Sequence, residues 1–329
     1  MTANHHRRRP AVTPPGAAFA AALACVLALG ACQTTAPLNA DTFTKDGFMS
    51  GTEMTQDYCE SLSDSIWVVV EGEGDCVRYY AGGLEDENDI AVANFYGDFG
   101  GIYFKSRKVH NANSLWKTSA EKQKSIAVKT AKKYGVPFII MARPGTLGAS
   151  GSQGEKWSKR NSLVMDAGLT AIAKRHHIKA YALSSQSGGG LIIGALLPWR
   201  NDIRCAVMAS TAVSIIEVLK ANYIGYNVDS ARPYIYDPYD HVDEISPDSN
   251  RRVFVLADKE DGRTIFWTQK SYIDKLAANG HDAHLIDLTD KGSGRFSHGL
   301  QRQAVLGAAE CAKGKTDAEI EAAVLAFKQ

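Results

Sequence analysis

The sequence contains no internal repeat, no heptad pattern and no low-complexity tract, which excludes solenoid, coiled-coil and fibrous architectures. It has no C-x-x-C pair, so zinc-ribbon and thioredoxin-type sites are excluded. It also lacks G-x-G-x-x-G, the dinucleotide-binding pattern, and G-x-x-x-x-G-K, the phosphate-binding P-loop pattern. Neither sign of charge is in clear excess, because the chain has 37 Lys and Arg residues and 36 Asp and Glu residues. Nucleic-acid binding needs a basic surface, so we expect no nucleic-acid partner.

The chain does have the size and composition of one large folded domain. It has 329 residues, of which 45% are hydrophobic, and this excludes a disordered chain. The long apolar run at residues 17–31 has fifteen residues, too few to span a bilayer as a helix. Three consecutive arginines at residues 7–9 precede it, and together these features predict a signal peptide.

The apolar run ends in L-G-A-C at residues 29–32, which resembles a bacterial lipobox. The resemblance implies that residues 1–31 are a lipoprotein signal peptide and that Cys32 carries lipid, followed by a tether that extends to residue 57. An ordinary signal peptide, a short buried helix or lipidation at Cys25 are the alternatives. Gln33, rather than Asp, follows the cysteine, which implies a lipid-anchored protein of the bacterial cell envelope, at the outer membrane and facing the periplasm.

Four cysteines lie beyond the tether: Cys59, Cys76, Cys205 and Cys311. An even number in an exported chain indicates disulfide bonds. Cys59 and Cys76 flank one predicted strand, so the favoured pairing is Cys59–Cys76, with Cys205–Cys311 as the remainder. Four buried free thiols are the alternative.

Apolar runs of strand length recur along the chain. They predict strands at residues 66–70, 76–81, 90–96, 137–142, 180–184, 205–210, 252–257 and 284–288. The first two are joined as a hairpin, and helical patterns separate the later ones, which predicts an α/β domain at residues 58–329. Its sheet should be mostly parallel and eight-stranded, with helices on both faces. Residues 213–248 break the rhythm and predict a small insertion after the sixth strand.

Ser187 is the candidate nucleophile. It lies in S-x-S-x-G directly after the fifth predicted strand and directly before a helical pattern, the context of a nucleophile elbow. The N–H group of Gly188, at the start of that helix, is a candidate oxyanion donor. Ser185 stands where glycine is usual. The alternative is a glycine-rich turn that packs a helix on a strand, and Ser150 and Ser152 are expected to lie in a loop.

A serine nucleophile needs a base and an acid that orients the base. His298 follows the last predicted strand and opens a helix, which makes it the candidate base. Asp258 and Asp261 both follow the seventh strand, and the position next to a glycine favours Asp261. Asp258 remains the alternative acid, and Glu260 is a third.

The chain order Ser187, Asp261, His298 resembles that of the α/β-hydrolase fold over residues 66–311, and residues 258–263 resemble the acid loop of prolyl oligopeptidase-like hydrolases. The resemblance places the second oxyanion donor after the third strand, on the N–H group of Asp98. A carboxylate there would oppose an oxyanion, so we expect the Asp98 side chain to point away, or Phe99 to supply the donor.

The resemblance implies an exported serine hydrolase, an esterase or a peptidase, that cleaves an ester or a peptide-like amide in a small-molecule or peptide substrate without metal or cofactor. An esterase is favoured because no propeller-like domain accompanies the hydrolase domain. The alternative is a non-catalytic lipoprotein that keeps the fold and binds a ligand or partner. Ser185, and Tyr96 in place of a usual histidine, favour that alternative.

Overall fold

The structure is a computed structural model that describes residues 43–103, 106–111, 117–222, 227–290 and 297–328. The predicted signal peptide at residues 1–31 and the predicted lipid-bearing Cys32 lie outside the described residues. Within these ranges, each helix is either too short or too polar to cross a bilayer.

A sheet of eight strands forms the centre of the domain, in the spatial order β1-β2-β6-β3-β7-β8-β9-β10. The strands are β1 (Ser65–Val70), β2 (Glu73–Gly82), β3 (Ala91–Phe95), β4 (Ile102–Tyr103), β5 (Lys108–Val109), β6 (Phe138–Met141), β7 (Tyr181–Gln186), β8 (Ile203–Ala209), β9 (Arg252–Ala257) and β10 (Asp282–Asp287), of which β4 and β5 form a separate hairpin. β2 runs antiparallel to β1 and β6, and the other neighbours in the sheet pair parallel. The predicted mostly parallel, eight-stranded sheet is confirmed.

Several helices begin at a polar cap in the sequence. The helices are α1 (Lys45–Ser50), α2 (Gln56–Ser61), α3 (Ala120–Tyr134), α4 (Lys159–Arg175), α5 (Gly188–Leu196), α6 (Ile215–Asn222), α7 (Phe266–Ala278), α8 (Gln301–Ala312) and α9 (Asp317–Leu325). Ser119 caps α3 by accepting from the Lys122 N–H, and Gly135 ends it in the left-handed conformation. Thr316 and Glu319 form a capping box at α9.

Helices cover both faces of the sheet, as predicted. Side chains alternate between faces along a strand, so Val77 and Gly82 on β2 point to opposite sides. Val77 lies against Gly168 of α4, whereas Gly82 lies against the backbone of α3 at Ala127 and Val128. The strand register puts α5 and α7 on the face of α4, and α8 on the face of α3. The central strand β3 is therefore buried at every residue, which explains why its sequence is apolar except for Asn94.

Two disulfide bonds join helices to the sheet, and both pairs match the prediction. Cys59–Cys76 connects α2 to β2, with Cα atoms 5.6 Å apart. Cys205–Cys311 connects β8 to α8, with Cα atoms 6.5 Å apart. The second bond fixes α8, the helix that begins just after His298, to the sheet.

Two segments outside the regular alternation border the site described below. The predicted insertion at residues 213–248 contains α6 and the 3-10 turns Val228–Ser230, Arg232–Tyr234 and Pro238–Glu244. The β4–β5 hairpin lies between β3 and α3 and was not predicted, because two-residue strands carry no periodicity. Part of the predicted tether packs against this region, since Phe48 of α1 is buried and its ring lies 6.2 Å from that of Phe99.

Candidate active site

Ser187 connects the end of β7 to the start of α5 in a strained backbone conformation. Its φ of 54° and ψ of −128° lie outside the regions that a non-glycine residue normally adopts. Its N–H group donates to the carbonyl of Ala209 on β8 at 2.9 Å, and its carbonyl accepts from Gly190 and from Ala212. A residue held in this way is typical of a nucleophile elbow, where the turn lifts the side chain out of the sheet.

The glycines around Ser187 are required by close backbone approach. A β-carbon on Gly189 would lie 2.4 Å from the carbonyl oxygen of Phe95. A β-carbon on Gly190 would collide with the Thr211 side chain and would touch Oγ of Ser185 at 3.4 Å. The missing side chain at Gly190 therefore leaves room for Ser185, which is fully buried. This explains how serine replaces the usual glycine two residues before the nucleophile.

His298 and Asp261 are in direct contact. Nδ1 of His298 lies 2.9 Å from Oδ2 and 3.1 Å from Oδ1 of Asp261. The backbone carbonyl of His298 also accepts from the side-chain amide of Gln186, the residue that precedes Ser187. The backbone of His298 therefore lies at the nucleophile turn, and Asp261 lies on the Nδ1 side of the imidazole.

The carboxylate of Asp261 is held in its ionised form. It accepts from the N–H groups of Arg263 at 2.8 Å and Thr264 at 3.0 Å, and from the Thr264 hydroxyl at 2.8 Å. Burial favours the neutral acid, but the contact with His298 and the backbone donors outweigh it, so the pKa of Asp261 lies below its ordinary value. An ionised, buried carboxylate at Nδ1 fixes the ring orientation and stabilises the imidazolium when it forms.

The other two candidate acids do other work. Asp258 is buried and accepts from the N–H groups of Glu260 at 2.7 Å and Asp290 at 2.6 Å, which organises the turn. Asp290 in turn accepts from the N–H group of Gly299, next to His298. Glu260 is exposed. Asp258 therefore supports the histidine loop from a distance, and of the three carboxylates Asp261 contacts the ring.

A buried glutamine joins the acid loop to the nucleophile turn. Gln269 of α7 is fully buried, accepts from the Thr211 N–H at 2.8 Å and donates to the Thr264 carbonyl. Thr264 holds Asp261, and Thr211 precedes the residue that donates to the Ser187 carbonyl. Sequence reasoning missed this bridge, since a glutamine within an amphipathic helix carries no local signal.

The competing serines lie in structural roles. Ser150 is buried and accepts from the Cys76 N–H at 2.7 Å. Ser152 caps a short turn by accepting from the Gly154 N–H at 3.0 Å. Neither has an imidazole as a hydrogen-bond partner among the described residues.

The side chain of Asp98 lies against the start of α5 and is held there by three neighbouring side chains. A β-carbon on Gly188 would lie 2.2 Å from Oδ1 of Asp98, so the carboxylate lies directly against the first residue of α5. Three side chains hold it there: Arg143 at 2.8 Å, Lys156 at 3.1 Å and the indole N–H of Trp157 at 3.0 Å. Phe99, the alternative donor, is buried against Phe48 and Tyr96.

The two cations change the electrostatic role of Asp98. Arg143 and Lys156 are 1% and 3% exposed, and together they carry two positive charges against one carboxylate. Burial favours the neutral form of Asp98, but both cations outweigh it and hold the pKa of Asp98 below its ordinary value. The excess positive charge next to Gly188 favours an oxyanion. Neither Arg143 nor Lys156 was identified from the sequence, because neither lies in a motif that indicates a role at the site.

A possible metal-ligating group lies away from this site. Within the described part of the chain, the side chains of Asp282, His284 and Asp317 converge, and all three are exposed or half-buried. They lie at the amino end of β10, whereas Ser187, Asp261 and His298 follow the carboxyl ends of their strands. The group is therefore separate from the candidate active site.

Solved structures with a similar fold include an esterase and a peptidase. The sequence matches no protein-family model and no curated protein. The structure is similar to the esterase Pf2001 of Pyrococcus furiosus, with a TM-score of 0.52, 12% identity, and 80% of this chain and 95% of that chain covered. It is also similar to Est1E of Butyrivibrio proteoclasticus, solved with bound ferulic acid, at 0.50, 13%, and 76% and 96% covered.

The third similar structure is an acylaminoacyl peptidase of Pyrococcus horikoshii, at a TM-score of 0.50 and 10% identity, with 84% of this chain and 45% of that chain covered. The chain has the α/β-hydrolase fold. At these identities the similarity establishes the fold alone, because the same fold supports many activities.

Proposed function

We propose that this protein is an exported serine hydrolase that cleaves an ester or a peptide-like amide through an acyl-enzyme. The observation that carries the proposal is the contact of Asp261 with Nδ1 of His298, together with the link from the His298 backbone to the residue before Ser187. A strained serine, an oriented imidazole and a buried carboxylate at three strand ends are the parts that acyl transfer needs.

In the first half-reaction, Oγ of Ser187 attacks the substrate carbonyl carbon while its proton moves to Nε2 of His298. The ionised Asp261 stabilises the imidazolium from the Nδ1 side. The bond from carbon to the leaving group then breaks, and His298 returns the proton to the leaving oxygen or nitrogen. Water attacks the acyl-enzyme by the same proton transfers in reverse, which releases the acid and restores Ser187.

The tetrahedral oxyanion is stabilised by backbone N–H groups, and we assign these to Gly188 and Asp98. Gly188 opens α5, so its N–H group lies at the positive end of the helix dipole. Arg143 and Lys156 neutralise the Asp98 carboxylate and leave excess positive charge beside this position. The side chain of Asp98 thereby fixes the loop that carries the second donor.

The setting of the reaction follows from the N-terminal sequence. A lipid on Cys32 would hold the domain at the surface of the bacterial cell envelope, on the outer membrane and facing the periplasm. Substrates would then be small molecules or peptides that reach that compartment. Two disulfide bonds suit such an oxidising location.

A fluorophosphonate probe tests the proposal, because it reacts covalently with an activated serine. We expect labelling of the purified protein at Ser187, located by peptide mass spectrometry, and no labelling of Ser187→Ala. Ser152→Ala is the matched control and should label like the wild type, since Ser152 only caps a turn. A folded wild-type protein that neither labels nor hydrolyses any ester would instead favour a non-catalytic ligand-binding protein.

A further inference from the structure

An arginine near the candidate site has an unused hydrogen-bonding edge. Nη1 and Nη2 of Arg107, which follows β4 in the β4–β5 hairpin, are buried, and neither has a hydrogen-bond partner among the described residues. Arginine stays ionised in proteins, and burying its donors without acceptors is unfavourable. An acceptor supplied from outside the chain would satisfy both nitrogens at once.

The surroundings of Arg107 carry excess positive charge. Its guanidinium lies 5.8 Å from the ring centroid of Tyr234 in the insertion, and the exposed Glu155 is an acidic group near it. Burial lowers the pKa of Lys156, and the charges of Arg143 and Arg107 lower it further, against the opposing effect of Asp98. Arg107 therefore lies close enough to Lys156 for their charges to interact. The carboxylate of Asp98 is already shared between Arg143 and Lys156. Among the described residues, the acidic group that acts on Arg107 is therefore the exposed Glu155.

The same cluster borders the nucleophile turn. Lys156 donates to the carbonyl of Gly100 at 2.5 Å, and the carbonyl of Arg107 lies where a β-carbon on Gly154 would be, two residues before Lys156. Asp98, which Lys156 holds, lies directly against Gly188, and Gly188 follows the nucleophile. The hairpin, the loop before α4 and the start of α5 therefore meet around one positively charged region.

We propose that Arg107 binds an oxyanion group of the substrate, a carboxylate or a phosphate, close to the scissile bond, so that the preferred substrates are anionic esters or amides. The planar fork of a guanidinium matches two oxygens of such a group, which accounts for two adjacent unpaired nitrogens. The ring of Tyr234, 5.8 Å from the guanidinium, adds a cation–π contact, and Lys156 and Arg143 add long-range attraction for the anion. This inference rests on the proposed hydrolase function.

The test compares three matched esters: p-nitrophenyl hydrogen glutarate, its neutral methyl ester, and the p-nitrophenyl ester of phosphonobutyric acid. We expect the wild-type protein to favour an anionic ester over the neutral one by about tenfold or more in kcat/KM. Arg107→Gln should lose most of this preference, through a higher KM for the anionic esters. A preference for the glutarate ester would indicate recognition of a carboxylate, and a preference for the phosphonate ester would indicate recognition of a phosphate group.

Arg204→Gln is the matched control, because Arg204 is 43% exposed near the amino end of β8, at the opposite edge of the sheet. It removes the same charge and should keep the full preference. Arg107→Lys keeps the charge without the fork and should retain only part of it. An unchanged preference in Arg107→Gln, or equal rates for all three esters in the wild type, would overturn the anion site while leaving the hydrolase function intact.

A binding measurement keeps the inference testable if hydrolysis fails. Calorimetric titration of Ser187→Ala with monomethyl glutarate should give a Kd about tenfold lower than the same titration of the Ser187→Ala/Arg107→Gln variant. Binding that depends on Arg107, in a protein that neither labels nor hydrolyses esters, would refute the proposed reaction but support the anion site. Equal affinities would refute the anion site, whatever the activity.

Discussion

The carboxylate of Asp98 occupies the space that a β-carbon on Gly188 would need, with Oδ1 only 2.2 Å from that position. The contact joins the loop after β3, which carries one assigned oxyanion donor, to the helix α5, which carries the other. It also explains why the residue after Ser187 is glycine. Arg143, Lys156 and Trp157 fix the carboxylate from the other side, so α5 and the loop cannot move independently.

Gly188→Ala should therefore impair activity more than stability. The new methyl group would have to displace the Asp98 carboxylate from its cations or shift the start of α5. We expect an unfolding free energy lower by about 1–3 kcal/mol and a kcat lower by about 100-fold, because a small misplacement of the oxyanion donors is costly. Denaturant titration and ester hydrolysis measure the two effects.

Gly307→Ala in α8 is the control for that substitution. A β-carbon on Gly307 would meet methyl groups of Val207 and Val324 at 3.1 Å and 3.3 Å rather than a bound carboxylate. It should leave kcat unchanged within about twofold, because its effect is confined to packing. If Gly188→Ala is as active as Gly307→Ala, Asp98 does not constrain the donors.

Asp98→Asn should destabilise the fold, because it leaves Arg143 and Lys156 buried without a counter-charge. Breaking a buried ion pair from one side costs about 3–5 kcal/mol. The matched control is Asp64→Asn, which removes the partner of the half-exposed Lys124 and should cost no more than about 1 kcal/mol. Equal losses in the two variants would contradict a special role for the buried cluster.

Asp98 and Asp261 should also contribute to acid denaturation. The pKa of each lies below its ordinary value in the folded chain. Their ionised forms therefore stabilise the fold at pH values above the unfolded carboxyl pKa of about 4, and this contribution is lost as the pH falls through the lower folded values. Unfolding titrations from neutral pH to pH 3 should show that the free energy of unfolding falls less steeply with decreasing pH for Asp98→Asn than for the wild type.

The positions of Ser187, Asp261 and His298 follow from sequence because Ser187 comes directly after a predicted strand and the other two lie in the loops that follow predicted strands. The carboxyl ends of parallel strands meet at one edge of a sheet. The eight strands were predictable because each contains an apolar run of strand length in the sequence. Both disulfide pairs could also be predicted, the first because its cysteines flank one strand.

The charged cluster could not be predicted in the same way. Arg143 follows β6, Lys156 precedes α4 and Asp98 follows β3, so their contact depends on three loops whose conformations carry no periodic signal. A buried lysine also contradicts the expectation that such side chains remain in water. The position of the Asp98 carboxylate beside Gly188 could not be predicted either, because it depends on these cations.

Asp261→Asn should lower kcat far more than Asp258→Asn. Asparagine at residue 261 keeps the shape but cannot stabilise the imidazolium, and a loss of about 10⁴-fold is expected for such a change. Asparagine at residue 258 can still accept from the N–H group of Asp290, so its kcat should fall by less than about tenfold. Steady-state ester hydrolysis measures both, and the reverse ranking would make Asp258 the catalytic acid.

Opening the two disulfide bonds separately should cost different amounts of stability. The Cys205–Cys311 bond spans 106 residues and the Cys59–Cys76 bond spans 17. Loop-closure entropy gives losses of about 5 and about 3 kcal/mol for the paired Cys→Ala variants. Denaturant unfolding should rank them in that order, and mass spectrometry of unreduced protein with four free thiols would contradict both bonds.

The N-terminal sequence makes a prediction that is independent of the fold. We propose that Cys32 carries lipid, because three arginines, a fifteen-residue apolar run and the L-G-A-C motif precede or include it. The wild type should take up radiolabelled palmitate and fractionate with membranes, since several acyl chains anchor firmly where one does not. Cys32→Ala should be released or remain unprocessed, and its ester hydrolysis should equal that of the wild type, since the proposed catalytic residues all lie beyond residue 180.

Cys25→Ala is the matched control and should keep both label and membrane association. A wild-type protein without label, and a Cys32→Ala variant that matures and fractionates like it, would identify an ordinary secreted protein.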